Sequence, residues 1–448
     1  MNSNSATDSR AAIAYIVSTD LIKWSSLLPS NPKRSLFVHT LVKDLELLSP
    51  SYSATRRIRV VRPRTATYED LEVYHSKEYL NFLLGEGEPD PDALPEDFGL
   101  EDDCPLFPGL NEYVRAVAGA TLTAANALKL VDVAICWDGG RHHAQKARAS
   151  GFCYVADCVL AILILKRFPP MPQARDTPDK SSANTRKARV MYLDLDVHFS
   201  DGVSQAFYQP TTTPAIKPRT NSNRQVLTLS IHHTSPGFFP ASPLSGLPPS
   251  LSEVTPASNR SFDPYTLSIP LNRGLSSQTY RAIWPIVERV KDAFDPDYIV
   301  VQCGVDALAG DPGSSTEFKS VGVGNWSLGG RTGVSEVEEG SLGWCIERVL
   351  STWQGKKLLL GGGGYHSPNA ARAWAYLTSI ALDKPLHLDT GIPLTHDEFP
   401  LYGPSFTLDV PPGNMEDLNW DREEESQFLR DAKERFEWVC KVLEMHRL

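Results

Sequence analysis

The segment VMYLDLDVHFSDGV, residues 190–203, sets Asp194, Asp196 and His198 at every second position, with Asp201 close behind. In an extended chain, positions i, i+2 and i+4 face the same way, so these three side chains point together as they leave an apolar strand. A carboxylate in such a place is costly unless a metal, a partner histidine or a ligand compensates its lost hydration. Two carboxylates at this spacing also repel each other unless a cation lies between them. The Asp/His donor set suits Zn2+, with Fe2+ as the second choice. Taken alone, the stretch reads equally well as a loop of capping carboxylates with a surface histidine.

A catalytic zinc has three protein ligands and an open position. Asp306, in VVQCGVDALAGDPG, is a further candidate ligand because it lies just past a strongly apolar strand; its other reading is a helix N-cap. WDGGRHHAQKARASGFCYVADCVLAI (137–162) carries adjacent histidines, His142 and His143, after a strand and a Gly-Gly turn. Such pairs are usually surface residues, but here the turn and the SGF beyond it place them in a candidate crevice. A neighbouring aspartate fixes a histidine's tautomer and raises its basicity, and Asp194 and Asp201 are available for that task. LLLGGGGYHSPNAARAW supplies Gly361 to Gly364 and then Tyr365. The Lys-Ser/Thr of a phosphate-binding P-loop is absent. A tyrosine on such a loop is suited to stabilising an oxyanion; alone, it reads as a ring packed at a helix start.

These residues come after segments that read as strands buried on both faces: 131–136, 189–197, 225–231, 265–271, 297–304 and 357–364. Helical stretches at 113–130, 153–167, 279–294, 340–354 and 369–382 alternate with them. The alternation predicts an α/β fold: one domain with a central parallel sheet of about eight strands, helices on both faces, and a metal site at the carboxyl ends of the strands. Residues 169–189, 209–224 and 241–262 break the rhythm with Pro, Ser, Thr, Asn and charge, and read as surface loop insertions. Residues 1–11 read as a disordered polar tail, ahead of a catalytic domain over 12–448.

Composition narrows the class. With 41% hydrophobic and 22% charged residues among 448, the chain is an ordinary globular protein able to bury a large core. A net charge of −10 argues against broad binding to nucleic acid phosphates and fits basic partners. The seven cysteines form no CxxC pair, which suits reduced thiols inside a cell. The polar start MNSNSATDSRAA lacks a signal-peptide core, and the apolar run 158–165 is too short to span a bilayer. A soluble protein with no membrane association is expected.

Together the motifs closely resemble the class I zinc-dependent histone deacetylases, of the arginase/deacetylase fold. The likeness spans roughly residues 12 to 445 and includes NPKRSLFVHTLV, EDDCPLFPGL, GGRHHAQKARASGFCY, DLDVHFSDGV, SIHHTSPGFFP, QCGVDALAGD and GGGGYHSPNAARAW in the family's order. The resemblance implies that Asp196, His198 and Asp306 ligate zinc. It implies that Asp194 orients His142 and, with Asp196, His198, Ser230 and Ile231, borders a structural potassium ion. Asp201 matches the orienter of His143, Tyr365 the oxyanion donor, and Asp103 a rim carboxylate that holds the substrate backbone. Phe152 and Phe239 match the walls of an acetyl-lysine tunnel, with Gly151 on its floor. The implied reaction is hydrolysis of the acetamide of acetyl-lysine in histone tails, with His143 as general base and His142 tuning the field.

Four positions depart from the family pattern. Ser200 replaces a glycine after the aspartates, and a different backbone bend is expected there. Ala156 replaces an asparagine. Arg141 replaces an apolar or aromatic residue at the tunnel mouth, where it would favour acidic residues beside the substrate lysine. Gly313 replaces a leucine or methionine, and the lost side chain is expected to widen the pocket for bulkier acyl groups. Two other functions compete: a catalytically silent acetyl-lysine-binding corepressor scaffold, and a deacetylase of small acetylated amines. The family likeness implies a nuclear location, also cytoplasmic, and a corepressor complex as partner, without sequence-specific nucleic acid binding.

Overall fold

The structure is a computed structural model and describes residues 12–87, 92–171, 186–210, 224–254, 262–314, 322–329, 337–421 and 424–447. Eight strands form one sheet: β1 (Ala12–Ile16), β2 (Arg57–Val61), β3 (Val133–Cys136), β4 (Val190–Asp194), β5 (Val226–His233), β6 (Thr266–Leu271), β7 (Tyr298–Gln302) and β8 (Lys356–Leu360). Their order is β2-β1-β3-β8-β7-β4-β5-β6, and every pairing is parallel. Parallel strands need crossovers, and helices supply them on both faces.

Alternation along each strand divides the core in two. Ile299 and Val301 of β7 join one apolar cluster, together with helices Arg34–Asp44, Ser277–Phe294, Leu342–Ser351, Ser367–Ala381 and Gln427–Arg447. Tyr298 and Val300 join the other, with helices Lys77–Leu84, Leu110–Ala127 and Asp157–Leu165. A strand covered on both faces has no polar side, which is why β3, β4 and β7 read as unbroken apolar runs.

The run after Tyr192 is extended for less length than its sequence suggests. β4 ends at Asp194, because Asp194 accepts the backbone N–H of Asp196 at 3.0 Å and Asp196 accepts that of His198 at 3.1 Å. Aspartates that take backbone donors two residues on compete with the sheet ladder. Leu195 and Val197 still point into the core. Ser200 stands at the N-cap position of helix Asp201–Phe207, without a side-chain capping bond, at φ −75°, a backbone that any residue adopts, so this position needs no glycine.

Of the insertions, 241–254 form turns against the helix Gln427–Arg447: Trp438 Nε1 donates to Pro249 O at 2.9 Å and Arg435 donates to Pro248 O at 2.9 Å. Residues 255–261, 172–185, 211–223 and the tail 1–11 lie outside the described residues. All seven cysteines are buried and unpaired. Among the described residues, no helix is long and apolar enough to cross a membrane.

Candidate active site

Four neighbouring strands in the middle of the sheet, β3, β8, β7 and β4, each end in a segment that turns into the same place. After β3 comes the turn to His142 and His143, after β8 the glycines and Tyr365, after β7 Asp306, and after β4 Asp196 and His198. This is the carboxyl side of a parallel sheet, where ligands bind in such folds.

Donor atoms of Asp196, His198 and Asp306 all lie within 4.8 Å of one another. His198 Nδ1 is 3.2 Å from Asp196 Oδ1 and 3.0 Å from Asp306 Oδ2. The other carboxylate oxygens are held from outside. Asp196 Oδ2 accepts from Gln302 Nε2 at 2.8 Å and from Gly363 N at 2.7 Å, while Asp306 Oδ1 accepts from Val197 N at 3.0 Å. Burial and the charge of Asp196 raise the Asp306 pKa. Burial opposes charge on His198, but hydrogen bonds with Asp196 and Asp306, and their charges, push its pKa up to about 10. Two buried carboxylates therefore draw one positive charge between them. The donor set, two carboxylate oxygens and an imidazole nitrogen, fits a zinc-type ion.

The two histidines differ although they are adjacent. His142 Nδ1 lies 2.9 Å from Asp194 Oδ2, and its Nε2 is 3.8 Å from Asp196 Oδ1. Burial disfavours its charge, but Asp194 and Asp196 outweigh that, and its pKa rises to about 9. His143 Nδ1 lies 2.7 Å from Asp201 Oδ1. Burial, then the charge of His142, pushes its pKa down to about 4. His143 lines a pocket beside this cluster, and His142 sits behind it. Asp157 accepts the backbone N–H groups of Gly140 and Arg141 at 2.9 and 2.7 Å and so holds the turn that carries both.

The pocket has a volume of about 230 Å³. Its lining includes Asp103, His143, Gly151, Phe152, His198, Phe239, Gly313 and Tyr365. The side chain of Asp103 accepts the N–H of Gly151 at 2.8 Å. Gly151 has φ +54°, and a Cβ there would sit 2.4 Å from the His143 ring and 2.8 Å from Phe239, so only glycine forms this floor. Phe239 packs edge-on against His143 at 4.8 Å between centroids, and Phe152 edge-on against Tyr365 at 5.4 Å. Burial, then the charges of Asp306 and Asp196, keeps the Tyr365 phenol protonated and able to donate. Asp194 of β4 is in register with Ser230 of β5, whose Oγ accepts from Ser200 N at 3.3 Å; Ile231 comes next, fully buried.

Two expectations are corrected. Arg141 is not at the mouth: it is 5% exposed and donates to Asp138 O at 3.0 Å, because Asp157 draws its backbone inward. Gly313 does not widen the pocket. A Cβ on it would lie 1.7 Å from Tyr365 Cδ2, so the tyrosine ring already fills the space that the side chain gave up.

Sequence reasoning missed three supporting residues. Arg34 donates to Gly362 O and Gly364 O, both at 2.9 Å, and Gln302 and Asp311 brace Asp196 and Tyr365. Asp311 accepts the N–H groups of Gly313, Tyr365 and His366 at 2.9, 2.8 and 3.0 Å. Its place in the stretch GDPG, polar between apolar segments, was the available signal.

A parallel sheet with a candidate metal cluster at its strand ends, beside a narrow pocket with a histidine–aspartate pair, is an α/β architecture suited to metal-assisted hydrolysis. A family model of the histone deacetylase domain matches residues 28–381. Histone deacetylase 8 of Xenopus tropicalis is 33% identical over 94% of this chain and 96% of its own length. Histone deacetylase 8 of Danio rerio is also 33% identical, over 96% of this chain and 95% of its own length. Histone deacetylase 6 of Arabidopsis thaliana is 33% identical over 89% of this chain and 71% of its own length. The chain belongs to the histone deacetylase family and is a hydrolytic deacetylase.

Proposed function

We propose that the protein is a zinc-dependent deacetylase that hydrolyses the acetamide of N6-acetyl-lysine in histone tails. The observation that carries this reading is the convergence of Asp196, His198 and Asp306 on one point beside a pocket that His143 and Tyr365 also line. Asp196, His198 and Asp306 would hold the ion, which when bound supplies Lewis acidity toward a carbonyl oxygen and a water molecule.

The remaining chemistry belongs to the side chains. Asp201 fixes His143 through Nδ1, which leaves Nε2 to take a proton from the attacking water. The same nitrogen then returns the proton to the departing lysine amine. His142 holds positive charge beside the carboxylates and steadies the field there. The Tyr365 phenol donates to the acyl oxygen as negative charge develops on it. Phe152 and Phe239 flank the apolar stem of an acylated lysine, whose charge acetylation has removed. Asp103, bound to the Gly151 backbone at the rim, is placed to accept a substrate N–H.

Asp194, Asp196, His198, Ser230 and Ile231 would hold a structural potassium ion, a reading supported by the burial of Asp194 and its register with Ser230. Acidic charge suits a basic histone tail as partner. With that substrate the protein acts on chromatin in the nucleus as a transcriptional repressor. A silent scaffold has no use for the braced His143–Asp201 pair or for Tyr365.

The test is acetate release from an acetylated histone tail peptide by the wild type and by Tyr365→Phe. Release by the wild type, reduced on the order of 10²–10³-fold in the variant, is expected. A zinc-loaded wild type that binds the peptide without releasing acetate would instead establish the scaffold.

A further inference from the structure

A second pocket lies at the opposite end of the sheet, at the amino ends of β1, β3 and β8, where the deacetylase reading assigns nothing. Its volume is about 310 Å³, larger than the pocket beside the metal cluster. Ile13, Val133 and Lys357 line it, and they stand in register across the three strands, so they share one face of the sheet. Leu350 and Trp353, at the end of the helix Leu342–Ser351 and just beyond it, wall that face, and Arg56 completes the lining there. The covered face of a parallel strand calls for an apolar residue where Lys357 stands.

Lys357 is 7% exposed and is the only buried lysine among the described residues. Its ammonium has three N–H donors and gives one to Trp353 O at 2.6 Å. The Arg56 guanidinium has five and makes one long bond, to Ala381 O at 3.4 Å. Among the described residues, neither side chain forms a salt bridge. Asp132 favours the charge on Lys357, but its side chain is 75% exposed and pairs instead with Lys356 at 3.7 Å. Lys291, the next cation, pairs with Asp292 and lies over the Trp353 ring at 5.6 Å. Burial, then the charge of Arg56, pushes the Lys357 pKa down to about 8. Two cations thus act on each other across a pocket with no anion between them, and a buried charge of this kind is costly until one arrives.

We infer that this pocket is a second ligand site that binds a small phosphate monoester, with the phosphate between Lys357 and Arg56 and the organic part on Ile13, Val133, Leu350 and Trp353. A carboxylate would neutralise only one of the two cations. A phosphate monoester carries a charge of about −1.5 to −2 at pH 7 and three strong acceptor oxygens, which match the two charges and the donors that the chain leaves free. The pocket volume falls at the lower end of the range for small-molecule sites, about 300–1,000 Å³, so it has room for an organic part beyond the phosphate.

The experiment is calorimetry at pH 7 on the full chain, with phenyl phosphate, inorganic phosphate and benzoate as probes. The proteins are the wild type, Lys357→Met, Arg56→Gln and Asp306→Ala. Phenyl phosphate is expected to bind the wild type, and inorganic phosphate about tenfold more weakly because it leaves the apolar lining uncovered. Affinity for phenyl phosphate should fall about tenfold to hundredfold in Lys357→Met and in Arg56→Gln, and stay unchanged in Asp306→Ala. No binding of phenyl phosphate to the wild type, or an affinity kept by either of the first two variants, overturns the inference. Binding lost in Asp306→Ala alone overturns it too, since the phosphate would then sit on the metal. Benzoate bound more tightly than phenyl phosphate would overturn the ligand class, and inorganic phosphate bound as tightly would overturn the role of the organic part.

Discussion

The two ends of the sheet treat buried charge in opposite ways. At the amino end, the charges around Asp297 are matched within the chain. Asp297, just before β7, accepts from Arg186 at 2.6 and 2.7 Å and from the N–H groups of Met171 and Arg189 at 2.7 and 2.8 Å. Arg189 pairs with Asp295 at 2.8 Å. At the carboxyl end, like charges face each other where Asp196 and Asp306 converge. A closed set of pairs serves folding. An unbalanced set serves binding, because the missing partner has to come from outside.

Several measurements press on this contrast. The largest effect belongs to Asp306→Ala, which removes one of the converging carboxylates. Turnover of acetyl-lysine peptide is expected to fall on the order of 10⁴-fold, and the rise in melting temperature expected when zinc is added to the wild type should be absent. Next comes Tyr365, the proposed oxyanion donor. Tyr365→Phe should lose about 10²–10³-fold in kcat while keeping its metal. Gly313→Leu should lose about as much, because the new side chain takes the space of the Tyr365 ring; unchanged kcat there would mean that the ring works from another position.

At the amino end the sign of the outcome changes from activity to stability. Asp297→Ala should cost about 3–5 kcal/mol, read by denaturant unfolding, with kcat per folded molecule preserved. A comparable loss of kcat would break the division between the two ends. The smallest effect concerns Lys357 at the start of β8, whose ammonium donates to Trp353 O at 2.6 Å. Burial, then the charge of Arg56, lowers its pKa to about 8 from the ordinary 10.5. The folded state thus releases this proton before the unfolded chain does. Between pH 8 and 10.5 the unfolded chain binds more protons, so this group's contribution to stability rises with pH. Lys357→Met should flatten that rise and stabilise the protein at pH 7 by about 1–2 kcal/mol. A flat wild-type profile over that window would contradict the assignment.

The elements that carry the site were the readable ones. β3, β4, β7 and β8 are apolar on both faces, and their ends bear the residues whose chemistry stands out in the chain. β1 and β2 escaped notice for different reasons. β1 is five residues with two alanines, and β2, RIRVV, is an edge strand with Arg59 and Val60 exposed. The metal-donor candidates were legible because a strand fixes the direction of the residues just past its end. The places of Arg141 and Gly313 were not, since each depends on a contact with a distant segment: Asp157 for the first, and the Tyr365 ring for the second. Residue type at a matched position says what is missing, whereas only packing says what moved in to replace it.

The central claim is that the carboxyl end alone lacks a cation that the chain does not supply. Its most direct test is the zinc bound per folded chain, determined by elemental analysis after zinc loading and dialysis, for the wild type, Asp306→Ala and Asp297→Ala. The account predicts one tightly held equivalent in the wild type and in Asp297→Ala, and none in Asp306→Ala. Zinc retained by a folded Asp306→Ala, or absent from the wild type, would contradict it.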